Sequence, residues 1–223
     1  MKVLYEDNHI IIVNKESGEI VQGDKTGDVP LSETVKDWIK EKHHKPGNVF
    51  LGVVHRLDRP VSGVVVFAKT SKALSRLNAM FAKHDEVSKT YWALTKNRPP
   101  KEEDTLTHWL VRNEKQNKSY AYDKERSNAK KAILKYKVIG ATERYTLLEV
   151  QLLTGRHHQI RCQLAKIGCV IKGDLKYGAD RSNPDGSISL LARRVEFIHP
   201  VSKERICVEA PVPEDNLWKS INN

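Results

Sequence analysis

The stretch spanning residues 49–68 constrains the fold more than any other part of the chain. One apolar run, 49–54, enters it, and a second, 64–68, leaves it. Between them lies Val54-His55-Arg56-Leu57-Asp58-Arg59-Pro60-Val61-Ser62-Gly63, a short loop between two strand-like segments. Pro60 has no amide proton and Gly63 tolerates positive φ, so the loop cannot simply continue a hydrogen-bonded ladder. It presents one carboxylate, Asp58, flanked by Arg56 and Arg59, and nearby positive charge keeps a carboxylate ionised. The residues alone leave three roles open for Asp58: nucleophile, base, or half of a surface ion pair.

Strand and helix signals alternate along the rest of the chain. Residues 3–15 read as a hairpin, with Glu6-Asp7-Asn8 as the turn and Ile10-Ile11-Ile12-Val13 as its second arm; Asn14-Lys15-Glu16-Ser17-Gly18 closes it. The Gly-, Asp- and Ser-rich residues 17–30 read as a flexible loop. Ser32 with Glu33 is expected to open a helix to about Lys42, with Val35, Trp38 and Ile39 as its apolar stripe. The pair His43-His44 reads as part of a solvated face. Thr70 is expected to cap a helix running to about His84, burying Leu74, Leu77 and Phe81. Residues 89–94 and 105–112 read as strands. The basic stretch 113–131, with Tyr120 and Tyr122 set in it, is either a surface that tracks RNA or a solvated loop. Residues 132–139 and 145–153 form a hairpin whose second arm turns Leu148, Val150 and Leu152 to one face. A helix is expected from Arg156, with Ile160, Leu164 and Ile167 toward the core. Arg161 lies on the side of His157 and His158, and a helix N-terminus carrying Arg156, His157 and Arg161 is a natural anion site. Gly168 stops that helix. Beyond it come two strands around the turn at residues 199–203 and a short helix over 214–221.

At 223 residues the chain can bury roughly 70% of the surface its unfolded form exposes. It lacks the roughly 18 consecutive apolar residues a membrane span needs, and its first residues turn polar before a signal-peptide core can form. A soluble, cytoplasmic protein is expected. The formal charge of +10 and pI of about 9.4 suit a polyanionic partner, or simply a basic soluble protein. Cys162, Cys169 and Cys207 are odd in number and lack CxxC spacing, so small buried residues in a reducing compartment are expected rather than a disulfide framework. His157, His158 and Cys162 lack a third or fourth metal ligand at a recognised spacing. Nucleophilic-serine and phosphate-loop signatures are also missing.

His55-Arg56-Leu57-Asp58 followed by Arg59-Pro60-Val61-Ser62-Gly63 resembles the active-site loop of the RluA-type pseudouridine synthases. Further motifs of that family follow in the same order. Asn14-Lys15 with Gly18 is similar to its Asn-Lys-Pro-x-Gly-Leu, and Lys89-Thr90-Tyr91-Trp92-Ala93 to its Lys-x-Tyr-x-Ala strand. Thr154-Gly155-Arg156-His157-His158-Gln159-Ile160-Arg161 resembles Thr-Gly-Arg-x-His-Gln-Ile-Arg, and Gly173-Asp174-Leu175-Lys176-Tyr177-Gly178 resembles Gly-Asp-x-x-Tyr-Gly. The likeness covers about residues 3–212. Glu16 and Glu19 depart from the family's Pro and Leu, which implies a looser first turn. Gln163 and Leu191 stand where histidines are common, which bears on RNA contacts rather than on the reaction.

The resemblance implies an α+β fold: a bent, mostly antiparallel mixed sheet with flanking helices and a central RNA-binding cleft. It implies a single catalytic domain over residues 1–223 without a separate S4-type RNA-binding domain. The implied activity is isomerisation of uridine to pseudouridine in structured RNA, ribosomal or transfer, with Asp58 as nucleophile. Arg161 would pair with that carboxylate, and Tyr91 would pack on the base and take up a proton from the sugar. Arg56 would fill the gap left by the flipped base. His55, Arg59, Arg156, His158, Gln159 and Ile160 would complete the substrate-binding set. The chemistry requires no cofactor and no metal, and a monomer without an obligate protein partner is expected. The alternative from another class is an RNA-binding protein that keeps this fold without catalysis.

Overall fold

The computed structural model describes residues 1–83 and 85–221. In chain order the elements are β1 (Lys2–Glu6), β2 (Ile10–Lys15), α1 (Leu31–Lys42), β3 (Gly52–Val53), β4 (Ser62–Ala68), α2 (Ser71–Ala82), β5 (Val87–Thr95) and β6 (Glu103–Asn113). There follow β7 (Lys118–Tyr122), β8 (Lys130–Ala141), β9 (Thr146–Leu152), α3 (Gln159–Lys166), a 3₁₀ turn (Leu175–Tyr177), β10 (Leu190–Ile198), β11 (Arg205–Glu209) and α4 (Asn216–Ile221). The chain divides into two compact units, residues 1–88 with 192–211, and residues 89–191 with the segment from 212.

In the first unit β2 runs antiparallel to β1 on one side and to β4 on the other, with Ile11 opposite Phe67 and Val13 opposite Val65. Every residue of β2 is buried, which is why its first four residues, 10–13, are an unbroken β-branched run rather than an alternation. Ile11, Val13, Val65 and Phe67 form one core with Leu31, Val35 and Ile39 of α1; each of those helix side chains contributes about 1.5–3 kcal/mol by burial. The start of α1 differs from the sequence expectation. Pro30 occupies the N-cap in extended conformation with no side-chain cap, and the amides of Leu31 and Ser32 donate to the carbonyls of Ile20 and Val21 (2.7 and 3.2 Å). Backbone from the preceding loop thus does what a capping Ser would do. α2 is capped as expected, Thr70 Oγ1 accepting the Ala73 amide at 3.1 Å. It ends at Ala82, and the expected end, His84, lies outside the described residues. Its buried face is Ala73, Leu77 and Phe81, with Leu74 half-buried.

β3 is much shorter than the apolar run 49–54. It pairs only Gly52 with Ala68 and Val53 with Phe67; two residues beyond Ala68 the partner chain has already reached Thr70, the cap of α2. β4 lies between β2 and β10, and β11 pairs antiparallel with β10. Gly63 has φ +119, and a Cβ there would sit 2.3 Å from the Ala192 carbonyl oxygen of β10, so no other residue fits.

In the second unit the strand order is β5-β9-β8-β6-β7, with every neighbouring pair antiparallel. The expected hairpin of β8 and β9 forms, and Leu148, Val150 and Leu152 are buried. The basic stretch 113–131 is not simply a loop: β7 lies within it and pairs with β6, Val111 facing Tyr120. α3 starts at Gln159, three residues later than expected, because His158 is left-handed at φ 53. Gly168 has φ +81 directly after the helix. Leu110, Ala132, Cys162 and Tyr177 pack as one cluster. Of the three cysteines, Cys162 and Cys169 are buried, whereas Cys207 is exposed, on β11 between the inward-facing Ile206 and Val208. Among the described residues no helix is long and apolar enough to cross a membrane.

Candidate active site

In the first unit, the Asp58 loop is held by its carbonyls. Lys15, wholly buried at the end of β2, donates from Nζ to the carbonyls of Glu16 (2.9 Å), Arg59 (3.0 Å) and Val61 (2.6 Å). The Gly18 amide also donates to Arg59 O (2.9 Å), and Ser17 Oγ to Pro60 O (3.4 Å). Inside the loop the Val61 amide closes onto Asp58 O at 3.0 Å. Three consecutive carbonyls after Asp58 are therefore fixed by one short segment, 15–18. Burial draws the Lys15 pKa down to about 8, against the opposing pull of Glu19 and Asp58. Sequence reading noted Lys15 only as a motif letter; a lysine closing a strand that opens with the apolar run 10–13 is the signal that it must find buried acceptors.

The remaining loop side chains divide the work. His55 accepts the Val66 amide at Nε2 (3.0 Å) and stacks on Phe81, ring centroids 4.9 Å apart. Leu57 packs against the α1 core. Asp58 is half-buried and Arg56 exposed. Arg59 turns to the 24–28 loop, where its guanidinium meets Asp28 (2.7 Å), Thr26 Oγ1 (2.9 Å) and Asp24 (3.5 Å). The loop read as flexible is thus pinned at its acidic tip. The first turn is also firmer than Glu16 and Glu19 suggested, since Glu19 Oε2 accepts the Glu16 amide at 2.8 Å.

The second unit carries Tyr91, Arg156, His158, Gln159, Ile160 and Arg161. Tyr91 lies on β5 opposite Val150 and is 9% exposed. Gln159 ties the turn before α3 together: its Oε1 accepts from Thr154 Oγ1 (2.8 Å) and the Arg156 amide (2.9 Å), and its Nε2 donates to Ile133 O (3.0 Å). Arg156 Nε donates to Lys131 O (3.0 Å), and Ile160 is buried. Arg161, 5% exposed, makes a bidentate pair with Asp174, Nε to Oδ2 at 2.7 Å and Nη2 to Oδ1 at 2.8 Å. Its Nη1 meets His158 Nε2 at 3.1 Å, and His158 Nδ1 meets Tyr177 Oη at 2.9 Å. Arg161 is thus a buried guanidinium braced by a carboxylate and an imidazole. Burial, reinforced by Arg161 and His157, holds the His158 pKa down to about 2, and burial raises that of the Tyr177 phenol. Asp174 and Tyr177 were visible as letters of Gly-Asp-x-x-Tyr-Gly, but nothing in their spacing tied them to Arg161.

Gln163 is fully buried and donates to His108 Nδ1 (3.0 Å) and to the carbonyls of Leu106 and Ala132 (3.3 Å each). The Cys162 thiol donates to Ser119 O (3.2 Å), and burial raises its pKa to about 11. His157 contacts Ser119 Oγ (2.9 Å) and Asn117 Oδ1 (3.1 Å).

A family model described as RNA pseudouridylate synthase matches residues 9–166. The chain belongs to the RNA pseudouridylate synthase family. It is an enzyme of the isomerase class, an RNA pseudouridine synthase. The chain is 28% identical to the tRNA pseudouridine synthase C of Vibrio parahaemolyticus, over 99% of its own length and 93% of the relative's. It is 32% identical to the uncharacterized RNA pseudouridine synthase YhcT of Bacillus subtilis, over 96% of this chain and 70% of that one. With the ribosomal large subunit pseudouridine synthase D of Zymomonas mobilis it shares 29% identity, over 96% and 70%. The fold is likewise that of a solved structure, human RNA pseudouridylate synthase domain containing 4, at TM-score 0.80 and 23% identity over 97% of this chain and 90% of that one.

Proposed function

We propose that this enzyme isomerises particular uridines in folded ribosomal or transfer RNA, with Asp58 as the nucleophile. The observation that carries the reading is the Lys15 clamp: two carbonyls that closely follow the Asp58 carboxylate, those of Arg59 and Val61, are fixed by a single buried ammonium, in a chain of this family. Such rigidity is what positioning a nucleophile against a sugar carbon demands.

The reaction breaks the C1′–N1 bond of uridine, turns the base and joins C1′ to C5; the hydrogen at C5 leaves to water and N1 gains one. No electrons are exchanged, so the chemistry itself requires no cofactor. Cleavage at C1′ builds positive character on the sugar, which a carboxylate stabilises or traps. In this reading Arg161 keeps Asp58 ionised and aimed, and Tyr91 packs on the base and takes up a proton from the sugar. The target base leaves its stack first, and Arg56 fills the vacancy with a planar guanidinium that can stack and bond phosphate. His55, Arg59, Arg156, His158, Gln159 and Ile160 shape and hold the loops that meet RNA. The choice of RNA follows relatives named for transfer RNA and for the large ribosomal subunit, and the charge of +10 suits either. A cytoplasmic monomer acting as one catalytic domain completes the reading.

The test uses bulk transfer and ribosomal RNA from cells lacking the protein, tritiated at uridine C5, with release of tritium to water as readout. Asp58→Asn is expected to abolish release while RNA affinity, measured by filter binding, stays within about threefold. Unchanged release in that variant rules out Asp58 as nucleophile.

A further inference from the structure

We propose that His158, held as the neutral Nδ1–H tautomer between Tyr177 and Arg161, is a positioning residue that aims the Arg161 guanidinium for isomerisation. The proposal rests on the role given to Arg161 above. A guanidinium has five N–H donors and no acceptor, so the 3.1 Å contact from Arg161 Nη1 requires an unprotonated His158 Nε2. The imidazole proton therefore sits on Nδ1, 2.9 Å from Tyr177 Oη. That phenol oxygen also accepts the Ser119 amide at 2.9 Å. A line of directed bonds thus runs from the backbone of β7 through Tyr177 and His158 to Arg161, while Asp174 takes Nε and Nη2 from the other side. Three nitrogens of one guanidinium are fixed, which sets its plane as well as its place. Protonating His158 would set a second N–H against Arg161, and the ring is surrounded by the positive charge of Arg161, Lys176 and Arg112, with His157 stacked at 3.8 Å.

The backbone supplies a second, independent observation. His158 is left-handed at φ 53, a conformation costing a non-glycine residue about 1–2 kcal/mol. Asparagine tolerates that region well. A histidine here makes sense if its far nitrogen is needed, because only a side chain of that reach meets Arg161.

This yields a test in which positioning and plain structural support give opposite orders. Glutamine places its terminal oxygen near the Nε2 position and can still accept from Arg161. Asparagine suits the left-handed backbone and can still donate to Tyr177, but it falls short of Arg161. Single-turnover tritium release by full-length protein is expected to fall no more than about tenfold in His158→Gln and about a hundredfold in His158→Asn, with RNA affinity of both within about threefold. Thermal melting identifies any variant that fails to fold. A His158→Asn as active as, or more active than, His158→Gln overturns the proposal. A wild-type protein that releases no tritium from any of these RNAs overturns the reaction reading instead. The lock is then decided by ¹⁵N spectra of wild type: a protonated Nδ1 and bare Nε2 on His158 support it, and a protonated Nε2 refutes it.

Discussion

Replacing Lys15 by methionine tests whether rigidity of the Asp58 loop is a stability device or a catalytic one. The side chains have similar length, so little cavity is made. What is lost is an ammonium with three carbonyl acceptors, but these differ in dependence on it. Arg59 O keeps the Gly18 amide, and the exposed residue Glu16 can turn to water. The buried Val61 bond leaves the one deprived acceptor, at about 1–3 kcal/mol. On the other side, the depression of the Lys15 pKa from 10.5 to about 8 says that holding the charge there costs about 3 kcal/mol. The two nearly cancel. Lys15→Met is expected to change stability by no more than about 2 kcal/mol, a Tm shift of at most about 8 °C. Turnover follows a different rule, since the carbonyls after Asp58 lose their common anchor, and single-turnover tritium release should fall about a hundredfold. RNA affinity should stay within about threefold, because the buried ammonium is out of reach of ligand. A variant that melts like wild type and reacts within threefold of it would refute the claim that this lysine organises the loop; a Tm loss beyond about 15 °C would refute the energy balance.

The remaining predictions concern charge, space and pH. Arg56→Ala is expected to weaken RNA binding and lower the salt slope by about one phosphate-equivalent, read from filter binding at several salt concentrations. Gly63→Ala would place a methyl 2.3 Å from Ala192 O at φ +119, so a loss of more than about 4 kcal/mol is expected in thermal or denaturant melts. Between pH 8 and 10.5 folded Lys15 has lost its proton while the unfolded chain keeps it, so the unfolded state binds more protons and stability rises with pH. Wild type should therefore gain about 2 kcal/mol relative to Lys15→Met between pH 7.5 and 9.5, measured by urea unfolding.

Elements defined by apolar pattern or local capping were legible in the sequence. The unbroken run of β2, the alternation in β9 and the Thr70 cap each carry their cause within a few residues. The Asp58 loop was legible too, as a break between strands and as a family motif. What escaped depends on partners distant in sequence. β7 is Lys-Ser-Tyr-Ala-Tyr, with no apolar alternation, and it is a strand because β6 supplies its ladder. α1 needs no capping side chain because the carbonyls of Ile20 and Val21 stand above it. The left-handed turn at His158 delays α3, and composition does not encode the sign of φ. Lys15 and Asp174 look like surface residues until their burial is known, and that burial is what makes them matter to the site.

The order in which the chain visits its two units has a consequence for biogenesis. The polypeptide leaves the first unit at Ser88 and returns at Ala192, so the sheet beside the Asp58 loop lacks β10 and β11 for about a hundred residues of translation. β2 and β4 can join early, but apart from the two residues paired with β3 the other edge of β4 stays bare until β10 emerges from the ribosome. An unpaired edge on a strand rich in apolar residues invites pairing with a neighbouring chain. Slowed elongation between residues 89 and 191 should therefore raise aggregation of nascent protein, and a nascent chain released before Ala192 exposes the edge of β4 that β10 covers in the finished enzyme.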